Sequence, residues 1–470
     1  MNHETRLHLA AHPLAYPLLR AVARLGPAVR VPGVGVVVND AATARAVLMD
    51  QATFRKDGPG SPGDLWTPVL GPSVLLNMEG EAHTALRRKL APLFTPDAVT
   101  TLVADVLAAP LGNLSARLRH GETVDLADEM RLMAGAVICR VIGMGEVSTT
   151  DARTLFADGE RVVSMVSLRS RRLTTRQIHV ARQVLDRVGK IAATAYETGD
   201  ETTVMGRMRA LGLSAPEARG AAAAFFLTGT ETVASFIPRL TTLLHDTPHP
   251  NPLPPHKGDT PHTTDPPRGA GTPHADGPTH GADTPHTDGT PHADGTAHGA
   301  GTLPEGGVPH DGCARRGGDV PFHGGARPYG GILGGGDLDR LIEEALRYTT
   351  PTPVMLRSVA VPARVGRVAV RPGDRIVVAT LNCTRAYGPF DPARRHPPEL
   401  RRLWFGAGPH FCIGYPLALA EIRAVTELLL AHDVEVVARR PARRVLLPAY
   451  RHLWIRSRNP HSKEGREDEP

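Results

Sequence analysis

The stretch FGAGPHFCIG, residues 405–414, decides how the rest of the chain is read. It sets one cysteine, Cys412, among Gly406, Gly408 and Gly414, directly before the amphipathic pattern YPLALAEIRAVTELLLAHDVEV, read as a helix. A cysteine that only fills a core needs no such company. Glycines on both sides let the backbone approach a flat ligand closely. They also let N–H groups point at the sulfur, which moderates a thiolate's donor strength toward a metal. At a loop-to-helix junction the helix N-terminus is expected to lower the thiol pKa. Alone, a glycine-flanked cysteine remains compatible with a structural role.

The composition removes several other readings. Four cysteines, Cys139, Cys313, Cys383 and Cys412, are scattered without a CxxC pair, against both a disulfide framework and a zinc cluster. Only five of the 54 basic residues are lysines, so the net charge of +6 rests on arginine. No run of like charge or basic–aromatic alternation points to nucleic acid. The N-terminus lacks the apolar core of a signal peptide, and no stretch reaches about 18 consecutive apolar residues. The expectation is a cytoplasmic monomer without a membrane anchor.

Along the chain, residues 1–245 read as mostly helical after a hairpin in VRVPGVGVVVND (29–40). Ser214 and Glu217 have capping-box spacing and open a long helix running toward His245. Composition then shifts. Residues 246–335 form a low-complexity insertion in which His256, His262, His274, His280, His286, His292, His298 and His310 share a period of six. Rich in Pro, Gly and Thr, this tract is expected to stay disordered, with histidines able to chelate Ni²⁺ or Zn²⁺. Order is expected again over 336–457: a helix stopped by Pro351, strands in PVMLRSVAV and GRVAVRPGDRIVVATLN with a Pro372-Gly373 turn, then the cysteine loop. Residues 458–470 read as a polar tail.

Three further patterns carry chemistry. Glu344 and Arg347, three apart, share a helical face and can pair. In TGTET (228–232), Gly229 lies one turn before Thr232 and can open a groove into which Thr232 hydrogen-bonds, with Glu231 feeding protons through water. In HTALRRKL, His83 and Arg87 are four apart on one face, while Arg88 and Lys89 are read as facing solvent.

Taken together, these strings resemble the cytochrome P-450 superfamily, in its bacterial, soluble, ferredoxin-dependent form. FGAGPHFCIG is similar to the family's haem loop, Phe-Gly-x-Gly-x-His-x-Cys-x-Gly, at Phe405, Gly406, Gly408, His410, Cys412 and Gly414. EALR resembles its Glu-x-x-Arg lock, whose third partner is left open between Arg394 and Arg395 in the divergent DPARRHPPELRR. TGTET resembles its (Ala/Gly)-Gly-x-(Asp/Glu)-Thr signature, with Thr228 in place of a small residue. The resemblance implies a mostly α fold with a small β-rich lobe and haem b between the long helix and the cysteine loop. Cys412 would be the axial iron ligand, and His83, Arg87, Arg357 and His410 would contact the haem propionates. Thr232 and Glu231 would deliver protons to O₂ on the other face.

The implied activity is monooxygenation of a hydrophobic small molecule, with a secondary metabolite as the expected class and electrons from NAD(P)H through a reductase and a ferredoxin. Peroxide use, oxidative coupling, or a haem-binding protein without turnover are the alternatives. The last arises because 112 residues separate Thr232 from Glu344, and the helix the family has between them is not recognisable. Pocket residues are expected from 58–76, 160–180, Ala224–Thr228 and 352–356.

Overall fold

The computed structural model describes residues 2–145, 147–166, 170–247 and 335–460. These belong to one compact unit made by Met1–Leu253 and Ala326–Pro470. The His-rich repeat and nearly all of the tail lie outside the described residues, and with them the expectations about disorder and metal chelation.

The chain opens with α1 (His3–Ala11), capped by the Asn2 side chain, and α2 (Ala15–Val22). The expected hairpin comes next as β1 (Ala28–Val31) and β2 (Gly35–Val38), paired antiparallel. Then come α3 (Ala41–Met49), β3 (Phe54–Arg55), α4 (Pro62–Leu70), α5 (Gly80–Leu90), α6 (Pro96–Arg119) and β4 (Val124–Asp125). After them run α7 (Leu126–Ile142), α8 (Thr149–Val163), α9 (Thr175–Ile191), α10 (Ala193–Thr198) and α11 (Val204–Ala210).

The long helix is α12 (Ala215–Asp246), 32 residues that start at the Ser214–Glu217 capping box and run through Pro238 as one element. Beyond the insertion lie α13 (Gly335–Thr349), β5 (Met355–Val359), β6 (Ala363–Val365), β7 (Val368–Val370), β8 (Arg375–Val378) and α14 (Thr380–Arg385). The chain closes with α15 (Tyr415–Ala431), β9 (Val434–Pro441) and β10 (Tyr450–Ser457).

The result is a helical body with small sheets, in agreement with the expected fold class. The largest sheet has the order β1-β2-β8-β5-β3 and mixes parallel β2–β8 with antiparallel neighbours. The turn at Pro372-Gly373 differs from expectation in one respect. Gly373 has the positive φ of a type II turn, +84°, but β7 and β8 pair with β6 and with β2 and β5, not with each other. The last helix is also shorter than its apolar pattern suggests: Asp433 takes φ +43° and turns the chain into β9 at Val434.

α12 and α6 are long and apolar enough to cross a membrane, but 67% of α12's apolar window is buried inside the protein, and 22% of α6's. The apolar character of α12 is therefore that of a core helix. It packs between α7, α9 and α15 and buries Phe226, Phe236, Ile237 and Leu240.

Two buried charge clusters tie the body together. Glu344 and Arg347 are fully buried and form a two-pronged pair at 2.6 and 2.7 Å. The open third position is filled twice: His396 Nε2 lies 2.9 Å from Glu344 Oε2, and Arg394 Nε donates to Oε1 at 3.3 Å. Arg395 is exposed, and His396 carries no motif signal in the sequence. The second cluster brings Glu4 of α1 against Arg239 of α12, at 2.6 Å, and against Arg385 of α14, at 3.4 Å. Arg239 also donates to the Thr349 carbonyl.

Candidate active site

Two positive-φ glycines shape the cysteine loop. Gly406 (φ +86°) separates the short 3₁₀ turns Leu403–Phe405 and Gly408–His410. At Gly408 (φ +67°) a Cβ would come within 2.8 Å of the Leu48 carbonyl, so both backbone angle and space demand glycine there. Gly414 is different: its φ is −80°, and an added Cβ would stand 3.9 Å from Cys412 Sγ. Its service is to leave the flank of the sulfur open. The Phe405 carbonyl accepts the Cys412 N–H at 3.0 Å, and the Phe405 ring packs edge-on to Tyr415, below the loop and outside the cavity wall.

Cys412 precedes α15 and is exposed, but toward an internal cavity. Burial pushes its thiol pKa up, against the Gly414 N–H and the charges of Arg87 and Lys56, which pull it down. This corrects the expectation of a thiol lowered by the helix terminus: removal from water outweighs the favourable dipoles.

The cavity is open on one side and offers about 130 Å³ to the centres of water-sized molecules. α12 contributes Ala221, Ala224, Phe225 and Thr228, the three- and four-residue spacing of one helical face. α5 contributes His83, Leu86 and Arg87, and the Cys loop contributes His410 to Ile413. Of the segments expected to line it, 58–76 provides Ser73 to Leu76, whereas the described residues of 160–180 and 352–356 provide none. Arg88 and Lys89 are exposed on the outer side of α5.

At one end of this cavity basic groups converge. The His83 and His410 rings lie 4.1 Å apart, and each has a buried Nδ1 without a partner. Arg357 of β5 is buried; it spends one N–H on the Leu356 carbonyl at 2.8 Å and leaves Nε unpartnered. Burial drives His83 down to about 3 and His410 to about 4, so both rings are neutral at neutral pH.

Two further groups here were missed by motif reading. Glu79, just ahead of α5, accepts from His410 Nε2 at 2.8 Å and from the Lys56 backbone N–H, joining three segments. Lys56 lines the cavity, and burial drives its pKa down to about 7. A lone Lys in FRKDG and the first Glu of NMEGE carry no spacing signal.

α12 separates this cavity from a second one. Thr232 is not in the wall of the first; its hydroxyl donates to the Thr228 carbonyl at 3.3 Å. Glu231 faces the second cavity, beside Arg131, Glu160 and Tyr450, with a buried Oε1 that has no partner. Gly229 corrects an expectation. A Cβ there would lie 2.5 Å from Ile138 Cδ1, so this glycine lets α7 pack closely instead of opening a groove toward Cys412. The structure thus gathers Cys412, His83, Arg87 and His410 about one space with Arg357 behind them, and sets Glu231 and Gly229 on other faces of α12.

Residues 338–443 match the family model described as Cytochrome P450. The chain is 35% identical over 125 residues to the cytochrome P-450 monooxygenase DoxA of Streptomyces peucetius subsp. caesius, covering 26% of this chain and 28% of that one. It is 32% identical over 101 residues to the erythromycin C-12 hydroxylase of Saccharopolyspora erythraea, covering 20% and 25%. The matched region therefore spans about a quarter of those relatives' length. Among solved structures, a mutant of P450 EryK in complex with erythromycin B superposes with TM-score 0.66 at 18% identity, over 97% of this chain and 99% of that one. CYP164A2 of Mycobacterium smegmatis gives 0.64 at 17% identity, over 96% and 97%. These likenesses establish the fold.

Proposed function

Because the chain belongs to the cytochrome P450 superfamily, we propose that it is a haem-thiolate monooxygenase that places one oxygen atom of O₂ in a hydrophobic small molecule. Haem b is the family's cofactor, and the residues fit it. A soft sulfur donor lines the cavity, and the partnerless nitrogens of His83 and Arg357 are what a carboxylate-bearing macrocycle requires. When bound, it supplies reductive activation of O₂ at a thiolate-ligated iron.

The chain's own residues then divide the work. Cys412 holds the iron, its anionic form favoured by the Gly414 N–H, Arg87 and Lys56. His83, Arg87 and Arg357 hold the carboxylates, with His410 beside them fixed by its bond to Glu79. Val74, Leu75, Leu76, Ala224 and Phe225 exclude water and select an apolar substrate. Thr232 and Glu231 carry protons: Glu231, held protonated by burial and by Glu160 with a pKa of about 8, is a donor at neutral pH. Gly229 has a packing role only.

Electrons are proposed to come from NAD(P)H through a ferredoxin and its reductase. The net charge of +6 and the exposed Arg88 and Lys89 suit an acidic partner. The named actions of the relatives on antibiotics support a secondary metabolite as substrate. A cytoplasmic monomer completes the reading.

The observation that carries this reading is Cys412 facing the cavity that His83, Arg87 and His410 also line. Its test is the reduced, CO-bound absorption spectrum of the purified full chain. Wild type should give the thiolate-type Soret band, and Cys412→Ser should lose both band and turnover. A Cys412→Ser protein that keeps them would overturn the proposal.

A further inference from the structure

Lys56 is a half-buried cation to which the proposed chemistry gives no duty beyond a field at Cys412. Its backbone is fixed at both ends: the N–H is held by Glu79 and the carbonyl accepts from Gly63 at 2.7 Å and from the Ser61 hydroxyl. The side chain is thereby directed into the cavity, where its nitrogen makes no ion pair or hydrogen bond among the described residues. An unpaired ammonium withdrawn from water is costly, and the fall of its pKa to about 7 is the sign of that cost.

Charge balance identifies what is missing. Around this end of the cavity stand Lys56, Arg87 and Arg357, three cations, against Glu79, one anion. Both oxygens of Glu79 are already engaged, one by His410 and one by the Lys56 N–H. Counted on these four side chains alone, the cluster carries two positive charges in excess. A ferric porphyrin with one thiolate ligand is neutral at its centre and brings two carboxylates. With Lys56 counted the cluster matches them; without it one carboxylate goes unneutralised. Resting on the proposed haem-thiolate reading, we infer that the Lys56 ammonium binds a carboxylate of the haem, as a third cation beside Arg87 and Arg357.

The test is haem release from the full-length holoprotein into excess apomyoglobin, tracked by absorbance, for wild type, Lys56→Met, Lys56→Arg and the exposed control Lys89→Met. Loss of one charge-assisted contact should speed release from Lys56→Met about 10- to 100-fold, with Lys56→Arg and Lys89→Met near wild type. Repeating the measurement with haem dimethyl ester, whose carboxylates are masked, should abolish the difference between wild type and Lys56→Met.

Equal rates for both proteins with unmodified haem would overturn the inference, and so would an acceleration that persists with the ester. A third outcome assigns the lysine to a substrate instead: unchanged haem release while decanoate no longer shifts the iron spin state. That too overturns it. Should Lys56→Met not fold, wild type against Lys56→Gln with the two haems decides by the same criteria. A wild-type Soret band of thiolate type, recorded first, keeps failure of this inference distinct from failure of the haem-thiolate reading.

Discussion

Glu231 shows how one side chain's surroundings become measurable. Burial and the nearby Glu160 carboxylate raise its pKa to about 8, and Arg131 offsets them only in part. The folded chain therefore holds a proton here that the unfolded chain releases above the usual carboxylate range. Between pH 4.5 and 8 the native state binds more protons, so this site lowers stability as pH rises, by up to about 1.4 kcal/mol per pH unit. Glu231→Gln removes the dependence. In urea denaturation its stability relative to wild type should grow from pH 5 to pH 7.5, and a gap that stays constant would show that Glu231 is ionised in the folded protein. Lys56 and Glu79 belong to the same scale, since both are placed by backbone and ring contacts that no motif foretells.

Between elements, the contact of α7 with α12 is the most extensive made by any two helices among the described residues, and Gly229 sits in it. Gly229→Ala gains about 1 kcal/mol of helix propensity but drives a methyl into Ile138, an overpacking cost of about 1–3 kcal/mol. The net expectation is a loss of about 1 kcal/mol in chemical denaturation, eased in part when Ile138→Val removes Cδ1 and leaves only Cγ1, at 2.9 Å, in the way. A Gly229→Ala protein as stable as wild type would mean that Ile138 has room to move aside.

The same position shows where sequence reading stops. Local signals were legible: the Ser214–Glu217 cap, the hairpin around Pro32-Gly33, the i,i+3 pair Glu344–Arg347 and the cysteine loop each draw their meaning from neighbours within a few residues. The direction in which Gly229 and Glu231 face depends on the rotation of α12 against α7 and α8, which no pattern inside TGTET contains. His396 and Glu79 act across separations of 52 and 331 residues. Pro372-Gly373 does form a turn, yet its strands find partners elsewhere in the chain.

For the whole molecule, the residues lining the Cys412 cavity fall within 56–228 and 410–413, on either side of the His-rich insertion. Excision of residues 250–330 is therefore expected to leave the reduced, CO-bound spectrum of the loaded protein unchanged. A product that no longer takes up haem would assign the excised tract a part in building the site. That expectation is supported by the two charge clusters, which fasten α13 to the segment around His396 and α1 to α12 through described residues on either side of the tract.

The Glu4 cluster also bears on the order of events during synthesis. Glu4 precedes both of its guanidinium partners, which lie 235 and 381 positions downstream. Closing so large a loop is entropically expensive and slow. During synthesis the α1 carboxylate must therefore stay hydrated until Arg239, and after it Arg385, has followed. The docking of α1 is thus tied to segments made long after it.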